Sequence, residues 1–555
     1  RVELLKQACL PLSASNNQLI LHLFNKYHKE AFNKINGGFS IIIYDRSSSE
    51  IIVVNDHLNV KPLYYATEGS RFVFSSNIPM LFQSGINKNV IDKNIMLDIL
   101  ISGAPRLGRT IYKNIDCLEN NHILSISASK KVTKQRYYRF SYRNDTYSYK
   151  EEYYSEKLKK LLFNSIEEKL QQTETNTAFA LSGGLDSSSI VCMADSLNKS
   201  KSLNKNLLTH SAIFPKLTGD QKKLADESFY IQKVIEKTNV EAKLHKFDTH
   251  GSLNILDKIT NLAEPVTGVN IYINYKILEE LQLSGVKAYF EGIGGDMIIS
   301  HGHSRFIELS RKFRILDLIR ENKAFCEKKN VAFNLYSCLK NYFIYSNMPN
   351  SFHRLLYKRQ KNVLNFQNLN VFLKKKYQID LAERWKTIFG YHPRAIASRD
   401  YDVYKIEELG IDNPHINYQS RLINQIGAEH NVEIFTPFLD KRVMSFCLQV
   451  PLSLKLKHGE SRYYFRGAMQ DTLPKEIQNR HWKADVSPGF LKEMLSLSLK
   501  ETQNLIFCRN NMLNEMLNKN FIVDFYNLFR KERKTTYAVM LYKLIYMSEW
   551  LNRRS

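Results

Sequence analysis

Apolar residues follow two different rhythms along this chain, and the change between them divides it. Up to about residue 145 they come in short β-branched or aromatic runs separated by polar turns. "GGFSIIIYD" and "SEIIVVND" read as a hairpin, "KPLYYATEGSRFVFSS" as a second with a Gly turn, and "VTKQRYYRFSYRNDTYSY" as a last strand running into a polar linker. This stretch is predicted to be largely β. From residue 153 the texture changes. "EEYYSEKLKKLLFNSIEEKLQQ" has the spacing of an amphipathic helix, and the short buried runs "TAFAL", "LLTHSAIF", "EAKLHKF" and "VKAYFEG" alternate with helical segments. Strand–helix alternation predicts a parallel sheet with helices on both faces. Residues 305–430 and 440–555 read as mostly helical, and the chain shows no internal repeat or low-complexity segment. At 555 residues it is too long for one hydrophobic core. The expected units are 1–148, 149–500 with a helical insertion at about 305–400, and a helical extension at 501–555.

The strand–turn–helix "ALSGGLDSSSIV" (180–191) builds an anion site. Gly183 and Gly184 let the backbone approach a phosphate, and the N–H groups of the following helix face it. Ser182 and Ser187 add hydroxyl donors. An acid beside phosphates is tolerable only with a cation between them, so Asp186 implies Mg²⁺. The stretch is neither a Walker loop nor a GxGxxG turn. A glycine turn without a ligand is the bland alternative. "AYFEGIGGDMIISHG" places a second acid, Asp296, after another strand, and ligands in parallel sheets gather at the carboxyl ends of strands. Asp186 and Asp296 are therefore expected at one edge, sharing metal. Near the C-terminus Arg462, Arg466, Arg480 and Lys483 punctuate an apolar framework. A cation from this group aimed at a phosphate or an oxyanion would lower a barrier electrostatically; read alone, the four are surface charges.

The loop resembles the SGGxDS loop of the ATP pyrophosphatases. The order SGGLDS, GxGGD, PFLD and LPxxIxxRxxK is similar to that of the asparagine synthetase superfamily. Residues 16–66 ("NNQLILHLFNKYHKEAFNKINGGFSIIIYDRSSSEIIVVNDHLNVKPLYYA") resemble the back half of a class II glutaminase domain. The resemblance covers nearly the whole chain outside the insertion. It implies an α/β protein: an N-terminal glutaminase-like (Ntn-type) α+β domain, degenerate or truncated, followed by an ATP-pyrophosphatase synthetase domain with helical additions. It further implies that Leu181, Ser182, Gly183, Gly184, Asp186, Ser187 and Gly292 bind ATP, that Asp186 and Asp296 hold Mg²⁺, and that Lys483 steadies the adenylate and the transition state.

Departures from the family pattern bear on substrate. Asparagine synthetases typically carry S-G-E-G-x-D-E where this chain has Glu291 to Met297, so Ile293 replaces the glutamate associated with amine attack. Phe435 stands where they use an arginine to grip aspartate, and an apolar residue there favours a bulkier or peptidic substrate. The glutaminase cysteine nucleophile is absent, and Cys9 does not take its place. "GGDMIISHG" and "HWKADVSP" look most like lasso peptide cyclases, which activate an Asp or Glu side chain of a precursor peptide and close a macrolactam with its N-terminal amine. β-Lactam synthetases, which place a tyrosine at Ile293, fit less well. Such a cyclase implies a leader-cleaved core peptide as substrate, with a leader peptidase and a leader-recognition protein as partners. Glu433, His301 and His303 are the candidates for taking the amine proton. A glutamine-hydrolysing asparagine synthetase, or another small-molecule amidotransferase, is the alternative; a silent binding scaffold is a third class.

Composition changes little. The chain has 79 basic and 55 acidic residues, a net charge of +24. The basic residues are spread along it, so a nucleic-acid partner is not expected, and the densest cluster, 353–378, reads as an exposed helical face. Seven scattered cysteines without a CxxC read as reduced residues of a cytoplasmic protein and argue against zinc. No apolar run reaches membrane-spanning length. The chain opens on Arg1 in helix-like sequence, from which we expect preceding residues.

Overall fold

The structure is a computed structural model. It describes residues 2–11, 13–69, 71–86, 90–142, 149–219, 222, 225–248, 251–349, 351–353, 369–389, 398–482, 487–507 and 511–554. The β-rich first part holds two antiparallel sheets. β1 (Ser40–Asp45), β2 (Glu50–Asn55), β6 (His122–Ile126) and β7 (Val132–Arg136) pair in the order β1-β2-β6-β7. β3 (Tyr64–Glu68), β4 (Arg71–Ser75) and β5 (Asp116–Cys117) form the other, in the order β4-β3-β5. Both expected hairpins are present, with Ser40 opposite Asn55 and Tyr64 opposite Ser75. The expectation of a largely β first part is corrected by helices such as Asn16–Tyr27 and Lys93–Ser102. In the second of these, "NIMLDILIS", residues Ile95 to Ser102 are all buried. A helix apolar all round has no stripe to betray its period.

The second part is built on five parallel strands: β8 (Asn176–Ala180), β9 (Asn206–Ile213), β10 (Glu241–Lys246), β11 (Ala288–Phe290) and β12 (Glu433–Phe435), in the order β10-β9-β8-β11-β12. Side chains alternate across a strand, and the two faces feed two cores. Ala178, Leu208, Tyr289 and Ile434 enter one. Leu207, Phe179, Ala288, Phe290 and Phe435 enter the other, under helices Glu151–Leu170, Leu185–Ser200 and Lys441–Gln449. The first core extends into the β-rich part through Tyr64, Ala66 and Ile78, and into the C-terminal helix Thr535–Asn552 through Tyr546 and Trp550. That helix is tied down where Trp550 Nε1 donates to Leu262 O (2.9 Å) and Tyr546 hydroxyl to Ile259 O (3.0 Å).

The insertion carries helices Ser304–Arg311, Ile315–Lys328 and Leu381–Phe389 among its described residues. Most of the basic cluster at 353–378 and the expected linker at 143–148 lie outside the described residues. No helix among the described residues is long and apolar enough to cross a membrane. The described cysteines are free, and Cys117, Cys192, Cys338 and Cys447 are buried.

Candidate active site

β8 ends at Ala180, and Leu181 keeps the sheet register by donating its N–H to His210 O (3.0 Å). The chain then turns through Gly183, whose φ of +69° is left-handed and suits a residue without a side chain. Gly184 caps helix Leu185–Ser200, whose first turn contains Asp186. The Ser187 hydroxyl accepts from Ser182 N–H (3.1 Å) and lies 3.0 Å from the Ser182 hydroxyl, which accepts from Gly184 N–H (3.3 Å). The loop is thus pinned by its own serines, and the helix start remains open to an anion.

β11 leads into a second turn. Gly292 packs on the first, since a β-carbon there would lie 3.2 Å from Ser187 N. Gly294, at φ +90°, opens the short helix Gly295–Ile299 that carries Asp296. Gly295 leaves room for its neighbour: a β-carbon on it would lie 2.4 Å from Asp186 Cγ. The two acids therefore meet, as the strand-end argument expects, though 110 positions apart by number.

Between them stands Arg462. Its Nη2 donates to both Asp186 oxygens (2.9 and 3.0 Å) and lies 2.9 Å from Asp296 Oδ1. Burial pulls its pKa down, but Asp186 and Asp296 more than offset this and hold the guanidinium charged. Arg480 donates to Gly183 O (3.0 Å), pairs with Glu227 (2.6 Å) and lies over the rings of Tyr230 and Trp482. Arg466 pairs with Glu460 (2.8 Å) and donates to Arg480 O (2.7 Å). Of the basic residues picked out in the sequence, these three converge on the phosphate loop; Lys483 lies outside the described residues.

The loops enclose a cavity of about 500 Å³, lined among others by Leu181, Ser182, Gly184, Asp186, Ser187, Gly292, Ile293 and Asp296. Away from the acids, the cavity is bounded by Ala180, Ala212, Ile273 and Tyr289. His210 Nε2 and Glu291 Oε2 are buried polar atoms there without a partner among the described residues. An apolar slot with the unused His210 nitrogen, next to an anion-binding loop, fits a nucleotide. The two acids also fit a metal ion. One guanidinium nitrogen reaches both carboxylates, so they lie within reach of one small cation. Two carboxylates are what Mg²⁺ takes from protein when phosphates and water complete its shell. No larger metal-binding cluster occurs among the described residues.

Glu433 and Phe435 lie elsewhere. Both line a second, smaller cavity of about 80 Å³ against the β-rich part, bordered by Gly38, His57 and Lys441. Glu433 pairs with Lys61 (3.2 Å), and the Phe435 ring stands 5.0 Å from that of Phe290. His301 Nε2 is 3.5 Å from Asp296 Oδ1, with its pKa pushed down to about 4 by burial and then by Arg462. His303 packs against Phe325 instead. The PFLD acid is structural: Asp440 caps helix Lys441–Gln449 by accepting from Arg442 N–H (2.8 Å), and it pairs with the Arg442 side chain (2.7 Å) and Asn36. Sequence reasoning missed Glu227, His210 and Glu291; Glu291 directly follows β11, so the strand-end rule could have found it, whereas His210 lies within β9 and Glu227 caps helix Ser228–Lys237.

Comparison with known proteins agrees with this geometry. Residues 157–552 match the asparagine synthase family, and residues 1–138 match a glutamine amidotransferase domain. A putative glutamine-hydrolysing asparagine synthetase of Methanocaldococcus jannaschii is 27% identical over 52% of this chain and 53% of its own length. The amidase chry2 of Gibberella zeae is 20% identical over 85% of this chain and 73% of its own, and an asparagine synthetase of Bacillus subtilis 22% over 84% and 70%. The chain thus spans about half the length of the archaeal relative and some seven-tenths of the other two. With the match running across the parallel sheet, both acidic turns and the C-terminal helices, the chain belongs to the asparagine synthase family.

Proposed function

We propose that the protein is an AMP-forming amide ligase that activates an Asp or Glu side chain of a leader-cleaved precursor peptide and joins it to the peptide's N-terminal amine, closing a macrolactam as lasso peptide cyclases do. Family membership makes it an asparagine-synthetase-type, ATP-using ligase. The peptide specificity is the finer reading. The observation that carries it is the wall of the cavity. Ile293 presents an apolar side chain there, and each described lining cation is already engaged: Arg462 by Asp186 and Asp296, Arg466 by Glu460, Arg480 by Glu227, and Lys329 by His481 O (2.6 Å). Among the described residues, none of these is left to grip the α-carboxylate of a free amino acid.

In this mechanism the substrate carboxylate attacks the α-phosphorus of ATP, pyrophosphate leaves, and the amine displaces AMP from the acyl-adenylate. Adenylylation gives an otherwise inert carboxylate a good leaving group. The phosphate loop positions the nucleotide through N–H groups and the Ser182 and Ser187 hydroxyls. Asp186 and Asp296 would hold Mg²⁺, which when bound neutralises phosphate charge. Arg462 and Arg480 place positive charge beside the loop, where charge develops on the leaving pyrophosphate. A leader peptidase and a leader-recognition protein are the partners such a reaction requires, and Lys483 is the residue we assign to steadying the adenylate.

The test is mass spectrometry of a leader-free core peptide, taken from a short reading frame beside the gene, incubated with ATP and Mg²⁺. Loss of one water with release of AMP is expected. Pyrophosphate release dependent on free aspartate would overturn the peptide reading. It would favour the second one, a glutamine-dependent amidotransferase, which the N-terminal amidotransferase match supports.

A further inference from the structure

Glu291 is the first residue after β11 and faces the cavity between the sheet and the phosphate loop. Its backbone is fixed by an N–H donated to Phe435 O (2.9 Å), and its Oε1 accepts from Asn274 Nδ2 (3.0 Å). Oε2 is closed off from solvent and has no partner among the described residues. A buried carboxylate oxygen left without a donor is unfavourable, and the fold gains nothing from keeping one. The next residue, Gly292, abuts Asp186 Cβ and the backbone of Ser187, so the carboxylate sits one residue from the loop that would hold the phosphates.

We infer that Glu291, through Oε2, is the proton acceptor for the amine that attacks the acyl-adenylate. The inference rests on the ligase reading above. The amine lone pair forms the C–N bond to the acyl carbon, the bond from that carbon to the phosphate oxygen breaks, AMP departs with the electron pair, and the ammonium proton passes to Oε2. The other histidine and glutamate candidates are less well placed. Glu433 lies in the other cavity paired with Lys61, His303 packs against Phe325, and His301 leans on Asp296.

The surroundings suit the task. Burial raises the Glu291 pKa from 4.5 to about 7, opposed only by the Asn274 hydrogen bond, so near neutrality the group both accepts and returns a proton. Asn274, from helix Ile271–Leu283, holds Oε1, and Tyr289 precedes Glu291 on its own strand; the same cavity is lined by His210 from β9, by the acids Asp186, Glu227 and Asp296, and by the cations Lys329, Arg462, Arg466 and Arg480. His210, its pKa pushed down to about 4 by burial and then by His245 and Lys243, is neutral at pH 7.

The experiment separates the two half-reactions in Glu291→Gln, using the core peptide that the wild type cyclises. ATP–pyrophosphate exchange reads adenylylation alone, macrolactam formation reads both steps, and hydroxylamine, already unprotonated at neutral pH, traps the adenylate without needing a base. Expected are unchanged exchange, unchanged hydroxamate formation, and ring closure lowered about 10²–10⁴-fold. The wild-type ring-closure rate should rise through about pH 7 and level off, and the variant should lose that limb. Exchange falling in step with ring closure would make Glu291 a nucleotide contact and overturn the inference, as would ring closure at the wild-type rate. A thermal shift with AMP establishes that the variant is folded. Wild-type protein that exchanges no pyrophosphate with any core peptide is a separate result, and it overturns the ligase reading together with this one.

Discussion

At the residue scale, Gly295 and Arg462 together decide whether two acids can share a site. Gly295→Ala would drive a methyl group into the Asp186 carboxylate. Displacing a positioning group by about an ångström can lower a rate ~10²-fold, so AMP formation should fall by that order while the melting temperature stays close to wild type. Arg462 tests the other half. Arg462→Met removes a buried cation from between Asp186 and Asp296, and breaking such a bridge is destabilising by about 3 kcal/mol. Because Mg²⁺ binds the folded form, it should raise the melting temperature of this variant more than that of the wild type. Equal shifts in calorimetric scans would show that the acids are not the metal ligands. The acids themselves were legible in the sequence, because glycines and an acid after a short buried strand already specify a turn at a sheet edge. The position of Arg462 was not: its number marks it as one of several basic residues near the C-terminus, and only the meeting of three distant loops puts it between carboxylates.

At the scale of elements, the second acidic turn is buttressed from below. Glu407, on helix Val403–Ile411, accepts from Lys455 Nζ (2.7 Å) and from the Ser304 hydroxyl (2.6 Å), joining three helices beneath residues 300–304. Burial would raise the Glu407 pKa, but Lys455 and the serines outweigh it, so the net shift is downward. A depressed carboxylate adds stability above its usual pKa of 4.5 and loses it as pH falls through the folded value. Glu407→Gln should therefore lower urea stability by about 3–5 kcal/mol at pH 7, with the gap from wild type narrowing in acid. Elements also show where sequence reading stops. The alternation of strands and helices was readable because each buried run is short and bounded by polar turns. The face of β12 was not, since three residues carry too little alternation to say which side chain meets the cavity. Phe435 enters the core beneath helix Glu151–Leu170 and borders the smaller cavity, while Ile293 is the apolar residue that lines the larger one.

At the scale of the whole molecule, the two matched domains share buried polar bonds as well as apolar surface. Tyr64, in the β-rich part, donates its hydroxyl to Glu264 Oε2 (2.7 Å), and Glu264 Oε1 accepts from Arg421 of the synthase part (2.5 Å). Arg421 and Glu264 are almost wholly buried, and the surrounding core runs without a break from Tyr64 to Trp550. The wild type should unfold in one calorimetric transition. Arg421→Met, which strands Glu264 in that core, should be destabilised by about 3–5 kcal/mol and show the two parts melting separately. A single unshifted transition in the variant would refute this coupling. None of this was visible in the sequence, where Tyr64 and Glu264 are 200 positions apart and each reads as an ordinary strand or loop residue. A last consequence follows from the turn at 291–297. Gly292 and Gly295 are held by backbone and carboxylate contacts to the phosphate loop, whereas Ile293 and Met297 border open space. On the ligase reading proposed above, exchanging Ile293 or Met297 would reshape the wall that meets the acid and the amine, while Gly292 and Gly295 keep the turn seated on the phosphate loop.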